Sequence, residues 1–454
     1  MDAMGHFAEH VISREFGEMP SEAIAAVKTF LLDSIGVGIS GTRGQWAGEL
    51  GDCLEGWGKG SDSRVLGRAG TYPCANAAMA NAFYIHNSEY DCVHEGAVVH
   101  PMASIVGAAL AVIDKKGGIS GRQLIEAIAL GADVSCGIGV ASSSPLKFFR
   151  PATAGGFGAT AVTGKLMGFD QETLLNAFGT LYGQSCGTMQ SHEEGSMLLA
   201  LQIGFNTRNA ITSCDMASRG LVAPRNVLEG RFGYFRLFEG EYDVAPVLAK
   251  LGENWRITEV SHKPFPTGRA TQGVIEAAIQ LTQQHDFSIS DIDTINAYVT
   301  PLTKRLVGRP VSNDMAPNYA RLCLQYCVAR VLQKGRLEPV DFRPEALAKT
   351  DICALGRRVN IVAQDNDDPN ALGPSALELK LRDGRNLMVR VADMPGSPSN
   401  PLTREQHLTK FRSNWLSVKQ TETGGDQAEQ VIELIDNLES VKDVGILLDL
   451  ICRV

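Results

Sequence analysis

The ten cysteines of this 454-residue chain include no C-x-x-C pair. That spacing deprives the sequence of the usual disulfide framework and zinc-ribbon signatures, and reduced cytosolic thiols are the simplest expectation. Cys323 and Cys327 sit four apart without neighbouring histidines and are expected to be buried helix residues rather than metal ligands. Basic residues are in deficit, 42 Lys and Arg against 51 Asp and Glu, which argues against nucleic acid as a partner. No run approaches the roughly 20 apolar residues of a membrane span. The most apolar stretch, Ile105 to Ile113, is short and rich in Ala and Gly, so no membrane partner is expected. The N-terminal stretch has no basic segment followed by an apolar one, so no signal peptide is expected and the cytoplasm is the expected compartment. Gly155-x-x-Gly158 fits neither a Walker loop nor a dinucleotide fingerprint. The chain shows no convincing repeat and no low-complexity tract.

What is present is mostly helical patterning. The length suggests two or three domains, and 44% hydrophobic with 20% charged residues is ordinary for a globular protein. Ile24, Val27, Leu31 and Ile35 recur at helical spacing. Ser120-Gly-Arg-Gln123 is a capping-box pattern. Pro101 suits a first helical turn, and Lys115-Lys116-Gly117-Gly118 reads as a basic last turn with a glycine stop. Gly155 to Gly164 reads as closely packed helix. After about residue 260 the pattern changes. Thr294 to Thr300 alternates as a strand, and Arg358 to Val362 is a second candidate. Leu377, Leu379 and Leu381, then Asp383-Gly384, then Leu387, Val389 and Val391 predict a hairpin. Helices are expected over 268–284 and 318–332. Pro395 to Pro401 punctuates the chain before helical sequence resumes. The expected architecture is mostly α with an α+β insertion: a large helical domain from 1–262 completed by 400–454, and an α+β domain over 263–399.

Two segments are candidates for chemistry. Between His86 and His100 lie three histidines beside Glu89, Asp91 and Glu95. Imidazoles and carboxylates at close range shift one another's pKa, which a general acid or base near neutral pH requires. A solvated loop with capping residues is the competing reading. A metal reading of His94 and His100 lacks a standard ligand spacing. The second segment is His262-Lys263-Pro-Phe-Pro-Thr-Gly-Arg269, where two prolines stiffen the chain between cations at the domain change. Lys263 is a candidate base or carboxylate anchor and Arg269 a candidate bidentate clamp, with a solvated linker as the alternative.

These segments resemble the MmgE/PrpD family, which includes 2-methylcitrate dehydratases, cis-aconitate decarboxylases and iminodisuccinate epimerases. Glu89 to Pro101 is similar to the family's acidic and Gly-Ala-Val-Val-His-Pro segment. Pro151 to Ala159, Gly195-Ser196-Met197, Lys263-Pro-Phe-Pro266 with Arg269, Ala320 to Cys327, Asn400 to Thr403 and Lys410-Phe-Arg412 follow in the family's order. The resemblance implies a helical domain with a smaller α+β lid, a site between them, a homodimer, small carboxylate substrates, and no metal or organic cofactor. It implies proton transfer at a carbon next to a carboxylate. Asp91, His100 and Lys263 fall on the family's active-site positions, and His94, Arg269, Gln325 and Tyr326 on motif positions at or near the site.

The chain also departs from the family. Cys92-Val93 replaces an Asp-Thr pair, Arg150 a histidine, Leu199 a lysine, and Gln202 and Gln272 histidines. Arg150 is expected to restore one cation to substrate binding. Fewer cations disfavour a tricarboxylate. The expected activity is therefore a lyase, a dehydratase or decarboxylase of a small carboxylic acid with fewer carboxylates or an apolar group. An epimerase or isomerase of a small dicarboxylate and a non-catalytic ligand-binding relative are the alternatives.

Overall fold

Small residues set the spacing of the helical core. A Cβ on Gly158 would lie 2.8 Å from the Gly131 carbonyl oxygen and from Ser135 Cβ. One on Gly107 would lie 2.7 Å from Ala82 Cβ. Backbones approach this closely only where no side chain intervenes. The computed structural model describes residues 2–368, 370–418 and 424–452. Its central helices are α1 (Ser21–Gly41), α2 (Cys74–His86), α3 (Pro101–Lys116), α4 (Gly121–Ala141), α5 (Arg150–Met167) and α6 (Leu198–Ala217). Helix α5 packs against α3, α4 and α6, and α2 packs against α1, α3 and α6.

The local signals in the sequence act as expected. Val27, Leu31 and Ile35 are buried on α1. Ser120 and Gln123 close a reciprocal capping box at the start of α4. Pro101 opens α3, and Gly117 ends it at φ +66°. The glycine-rich stretch 155–164 lies wholly inside α5. One expectation needs correction. Helices α1 and α4, each 21 residues with mean hydropathy 1.5 and 1.7, are long and apolar enough to cross a bilayer by length and composition alone. Interspersed Gly, Ser and Ala hid this from a search for unbroken apolar runs. Both helices are mostly buried within the protein.

Two hydrophobic cores result. The larger draws on residues 3–260, on Leu322 and on 411–452. The smaller draws on residues 270–394. The smaller core lies beneath a four-stranded sheet of β3 (Ile292–Val299), β4 (Val359–Ala363), β5 (Ser375–Leu381) and β6 (Asn386–Val391), in the order β4-β3-β5-β6. Strands β3 and β4 are parallel, and the other neighbours are antiparallel. Ile295, Ala297 and Val299 alternate inward on β3, as do Leu377, Leu379 and Leu381 on β5. The Asp383-Gly384 turn joins β5 to β6, with Gly384 at φ +90°. Helices α7 (Gln272–Gln284) and α8 (Leu324–Lys334) form the other layer.

The helix expected over 318–332 is broken. Pro317–Arg321 forms one short helix, and α8 begins at Leu324 after Cys323 turns to φ −103°, ψ 99°. The cause is tertiary. Leu322 belongs to the larger core, whereas Cys323, Leu324 and their successors belong to the smaller. The break falls where the chain passes from one core to the other. Helix α9 (Arg404–Leu416), capped by Thr403, then returns the chain to the larger domain and packs on α1.

Candidate active site

A two-residue strand pair joins the segments around 90 and 262. β1 (Val93–His94) runs antiparallel to β2 (Val260–Ser261), pairing Val93 with Ser261 and His94 with Val260. The residues after β2 therefore face the loop before β1. Helix α2 delivers His86 from its last turn, and His100 occupies the residue before Pro101 of α3.

Asp91 is fully buried between these two imidazoles. Its oxygens lie 3.0 Å from His86 Nδ1, and one lies 3.3 Å from His100 Nδ1. His100 Nδ1 is also 3.0 Å from the Cys92 carbonyl oxygen. Both neighbours of His100 Nδ1 only accept hydrogen bonds, so Nδ1 carries the hydrogen and Nε2 keeps its lone pair. Glu89 sits opposite. Its carboxylate and its own carbonyl accept hydrogen bonds from Lys263 Nζ at 3.0 and 3.1 Å. His86 Nε2 lies 3.4 Å from Glu89 Oε1.

Charge in this cluster is ordered by the partners. Burial opposes ionisation of Glu89, but Lys263, His86 and His100 together bring it down to about 2. Burial likewise opposes ionisation of Asp91, yet His86 and His100 hold it well below the usual range. Burial works against a charge on His86, but Asp91 and Glu89 raise its pKa above the ordinary value. Burial, followed by the Lys263 charge, lowers that of His100. The cluster thus sets two carboxylates beside Lys263, favours the protonated form of His86 and favours the neutral form of His100.

The cleft beside it is narrow and mostly apolar. Its walls include Glu89, His100, His192 and Arg269 among residues such as Val93, Phe149, Leu199 and Leu322. Its volume, about 70 Å³, is far below the roughly 300 Å³ at which ligand pockets begin. Glu89 at φ +52° and Val98 at φ +51° both face it and both adopt the left-handed conformation that non-glycine residues rarely take. For β-branched Val98 this is strained backbone, held by the tight loop in which His94 and Val99 exchange hydrogen bonds.

The remaining sequence candidates divide. Arg269 reaches the cleft wall, but Glu95 and the carbonyls of His262 and Pro395 accept its hydrogen bonds. Gln272 accepts another from Arg269 and donates to Phe265, so it braces this loop. Arg150 does not reach the cleft. Its guanidinium makes a buried pair with Glu239 at 2.8 and 3.0 Å and donates to the Ala97 carbonyl. His94 pairs with Glu259 at 2.7 Å and fixes the 94–99 loop. Tyr326 is buried in the smaller core, donating its hydroxyl to the Asp341 carbonyl, and Gln325 stands outside the cleft lining. Leu199 lines the cleft, whereas Gln202 bonds both backbone groups of Thr188.

Two further groups were not singled out by sequence. His192, from the short helix Gln190–Glu194, lines the cleft; burial and then Arg309 lower it to about 4. Arg309 Nη2 lies 3.3 Å from His192 Nδ1, while its Nε and Nη1 have no hydrogen-bond partner. Among the described residues no carboxylate pairs with it. It stands behind His192 rather than in the cleft wall, with donors to spare.

Two clusters offer three metal-ligand atoms each within 4.8 Å, His86–Asp91–His100 and Asp33–His262–His407. In the first, both imidazoles direct Nδ1–H at the carboxylate. In the second, Lys410 Nζ lies 2.7 Å from Asp33, and Arg404 donates to His407 Nδ1 at 3.2 Å, leaving the hydrogen on Nε2. A divalent cation at the first would displace the Nδ1 hydrogens. At the second it would lie beside the Lys410 ammonium, although Asp33 Oδ2, His262 Nε2 and His407 Nε2 have no hydrogen-bond partner there.

A family model described as the MmgE/PrpD N-terminal domain matches residues 5–246, and one described as the MmgE/PrpD C-terminal domain matches 265–438. The chain is 25% identical over 463 residues to a cis-aconitate decarboxylase of Aspergillus terreus, covering 96% of this chain and 92% of that protein. It is 22% identical over 461 residues to the cis-aconitate decarboxylase of Homo sapiens, covering 98% and 93%. A 2-methylcitrate dehydratase of Escherichia coli (strain K12) is 24% identical over 262 residues, covering 52% and 51%.

Proposed function

The chain belongs to the MmgE/PrpD family, and from that premise we propose that it is a lyase that removes water or carbon dioxide from a small carboxylic acid. The observation that carries this reading is the buried His86–Asp91–His100 array, with His100 in the wall of a narrow cleft. His100 enters it neutral, with Nδ1–H directed at Asp91 and the Cys92 carbonyl. Its Nε2 lone pair is then free to take a proton from carbon. Loss of water proceeds when that proton leaves the carbon next to a carboxylate and the neighbouring hydroxyl departs with its bonding pair. Loss of carbon dioxide breaks a carbon–carbon bond and leaves its pair on that carbon, which must gain one proton. His100 supplies it from Nε2 only after first taking up a proton from solvent, so this outcome uses the protonated and dehydration the neutral form of the same imidazole. Relatives named as a decarboxylase and a dehydratase are consistent with either outcome.

The substrate carries fewer than three carboxylates, or an apolar substituent beside them. Lys263 is matched by Glu89, Arg269 by Glu95 and Arg150 by Glu239. Arg309 has unused donors behind His192, one residue removed from the cleft, and Leu199 and Phe149 make part of the cleft wall apolar. One guanidinium holds one carboxylate well. The test is a panel of mono-, di- and tricarboxylates incubated in deuterated water and followed by NMR. A vinylic product or deuterium at the reacting carbon of a mono- or dicarboxylate is expected. Turnover of cis-aconitate or 2-methylcitrate with kcat/KM above about 10⁴ M⁻¹s⁻¹ would overturn the substrate reading. Inertness of folded protein toward the whole panel would overturn the lyase reading.

A further inference from the structure

The loop between His86 and Asp91 is a partition with a cavity on each side. Glu89 faces the reaction cleft, whereas Ser88 and Tyr90 face the other way. The 321–322 turn repeats the alternation, with Leu322 on the cleft side and Arg321 behind it. The rear cavity lies between the two domains and holds about 550 Å³. Unlike the cleft, it already has the size of a ligand pocket.

Its lining is cationic and short of partners. Arg43, Arg321 and Arg343 border it, against one carboxylate, Glu338. Glu338 is itself engaged by Lys334 and Arg336. Arg321 is buried, and its guanidinium makes a single long contact, Nη1 to the Asn87 carbonyl oxygen at 3.5 Å. Its Nε has no hydrogen-bond partner, nor do the buried Nδ2 of Asn414 and Oγ of Ser88. Three residues that line this space, Ser88, Arg321 and Asn414, thus each carry a buried polar atom without a hydrogen-bond partner. Arg43 and Arg343 stand exposed at the rim, and among the described residues neither pairs with a carboxylate. Pro317, Pro339 and Phe342 add an apolar wall, with the Arg321 guanidinium 5.5 Å from the Phe342 ring centre.

We propose that this rear cavity is a binding site for a small organic anion, held through phosphate or carboxylate oxygens by Arg321, Ser88 and Asn414 at its base and by Arg43 and Arg343 at its rim. Guanidinium groups bind both kinds of oxyanion through paired hydrogen bonds. The proposal does not depend on the lyase reading, because no group of the His86–Asp91–His100 array lines this space.

Isothermal titration of the full chain with inorganic phosphate, and separately with citrate, tests it. The stronger binder of the two tells a phosphate from a carboxylate site. Binding of at least one anion is expected, weakened tenfold or more in the Arg43→Ala/Arg343→Ala double variant, whose replaced side chains are exposed. The same titration on His100→Asn should match the unmodified protein. Absence of binding by either anion overturns the proposal. So does binding that the rim variant leaves unchanged and His100→Asn abolishes, which would assign the anion to the reaction cleft.

Discussion

His100 keeps a lone pair at neutral pH because burial and the Lys263 charge both disfavour its protonated form. Replacement by Asn keeps a donor for the Asp91 side but removes the base. The expected result for His100→Asn is a fall in kcat of about 10²–10⁴-fold with an unchanged circular dichroism spectrum. The sign of the pH dependence follows. A base works unprotonated, and its pKa is depressed from the ordinary 6.5, so the acid limb of kcat/KM should lie below pH 6.5. A limb above that value would mean that the neutral imidazole is not the working form. Arg150 provides the contrast. Its charge is spent on Glu239 in a site with no access to the cleft. Arg150→Met leaves Glu239 buried and unpaired, and should lower stability by about 3–5 kcal/mol in urea titrations while leaving KM unchanged.

Asp91, His100 and Lys263 stand out in the sequence through their motifs. The reason they meet, the Val93–Ser261 pairing, has no local signature. Glu89 is visible in the same motif, but its partnership with Lys263 depends on a left-handed backbone that a glutamate does not advertise. Arg309 and His192 are 117 residues apart, and nothing in either neighbourhood announces the other. Arg150 was misjudged because a cation at a family motif position looks like a substrate anchor until its acid partner, 89 residues away, is known.

At the scale of elements, caps and periodicity were legible because they are local. The Ser120 capping box, the Pro101 start and the Asp383-Gly384 hairpin depend on residues within a few positions of one another. The break at Leu322 and Cys323 was not legible, since local preference there is helical and the pull of two cores decides it. Close helix packing gives a test of the small-residue reading. Gly158→Ala gains about 1 kcal/mol of helix propensity but drives a Cβ to 2.8 Å from the Gly131 carbonyl oxygen and from Ser135 Cβ. Overpacking of this kind costs about 1–3 kcal/mol, so the variant should be less stable or at best neutral. Gly48 lies on the helix Ala47–Trp57 with nothing within 4 Å of an added Cβ. Gly48→Ala should therefore gain up to about 0.5–1 kcal/mol. If both variants shift the melting temperature upward by the same amount, close approach of α4 and α5 does not limit the packing.

At the scale of the whole molecule, the cleft is too narrow for a polycarboxylate. A space of about 70 Å³ walled by residues of both domains admits no polycarboxylate without separation of those walls. The strained Glu89 and Val98 border that space, and the Glu89–Lys263 pair ties the loop before Asp91 to the segment after β2. A carboxylate that enters the cleft should draw the wall formed by Leu306, Val307 and Leu322 toward the His86–Asp91 loop and tighten both. Hydrogen exchange with and without a turned-over carboxylate, or a slow analogue of it, measures this directly. Slower exchange is expected in two segments far apart in sequence, 86–100 from the larger domain and 303–323 from the smaller, with the strands β3, β5 and β6 unaffected. Those strands contribute no residue to the cleft wall, so ligand contact cannot reach them except by general stabilisation. Protection confined to 86–100 would mean that the smaller domain is a fixed wall rather than a lid, and the substrate would then need another route to His100.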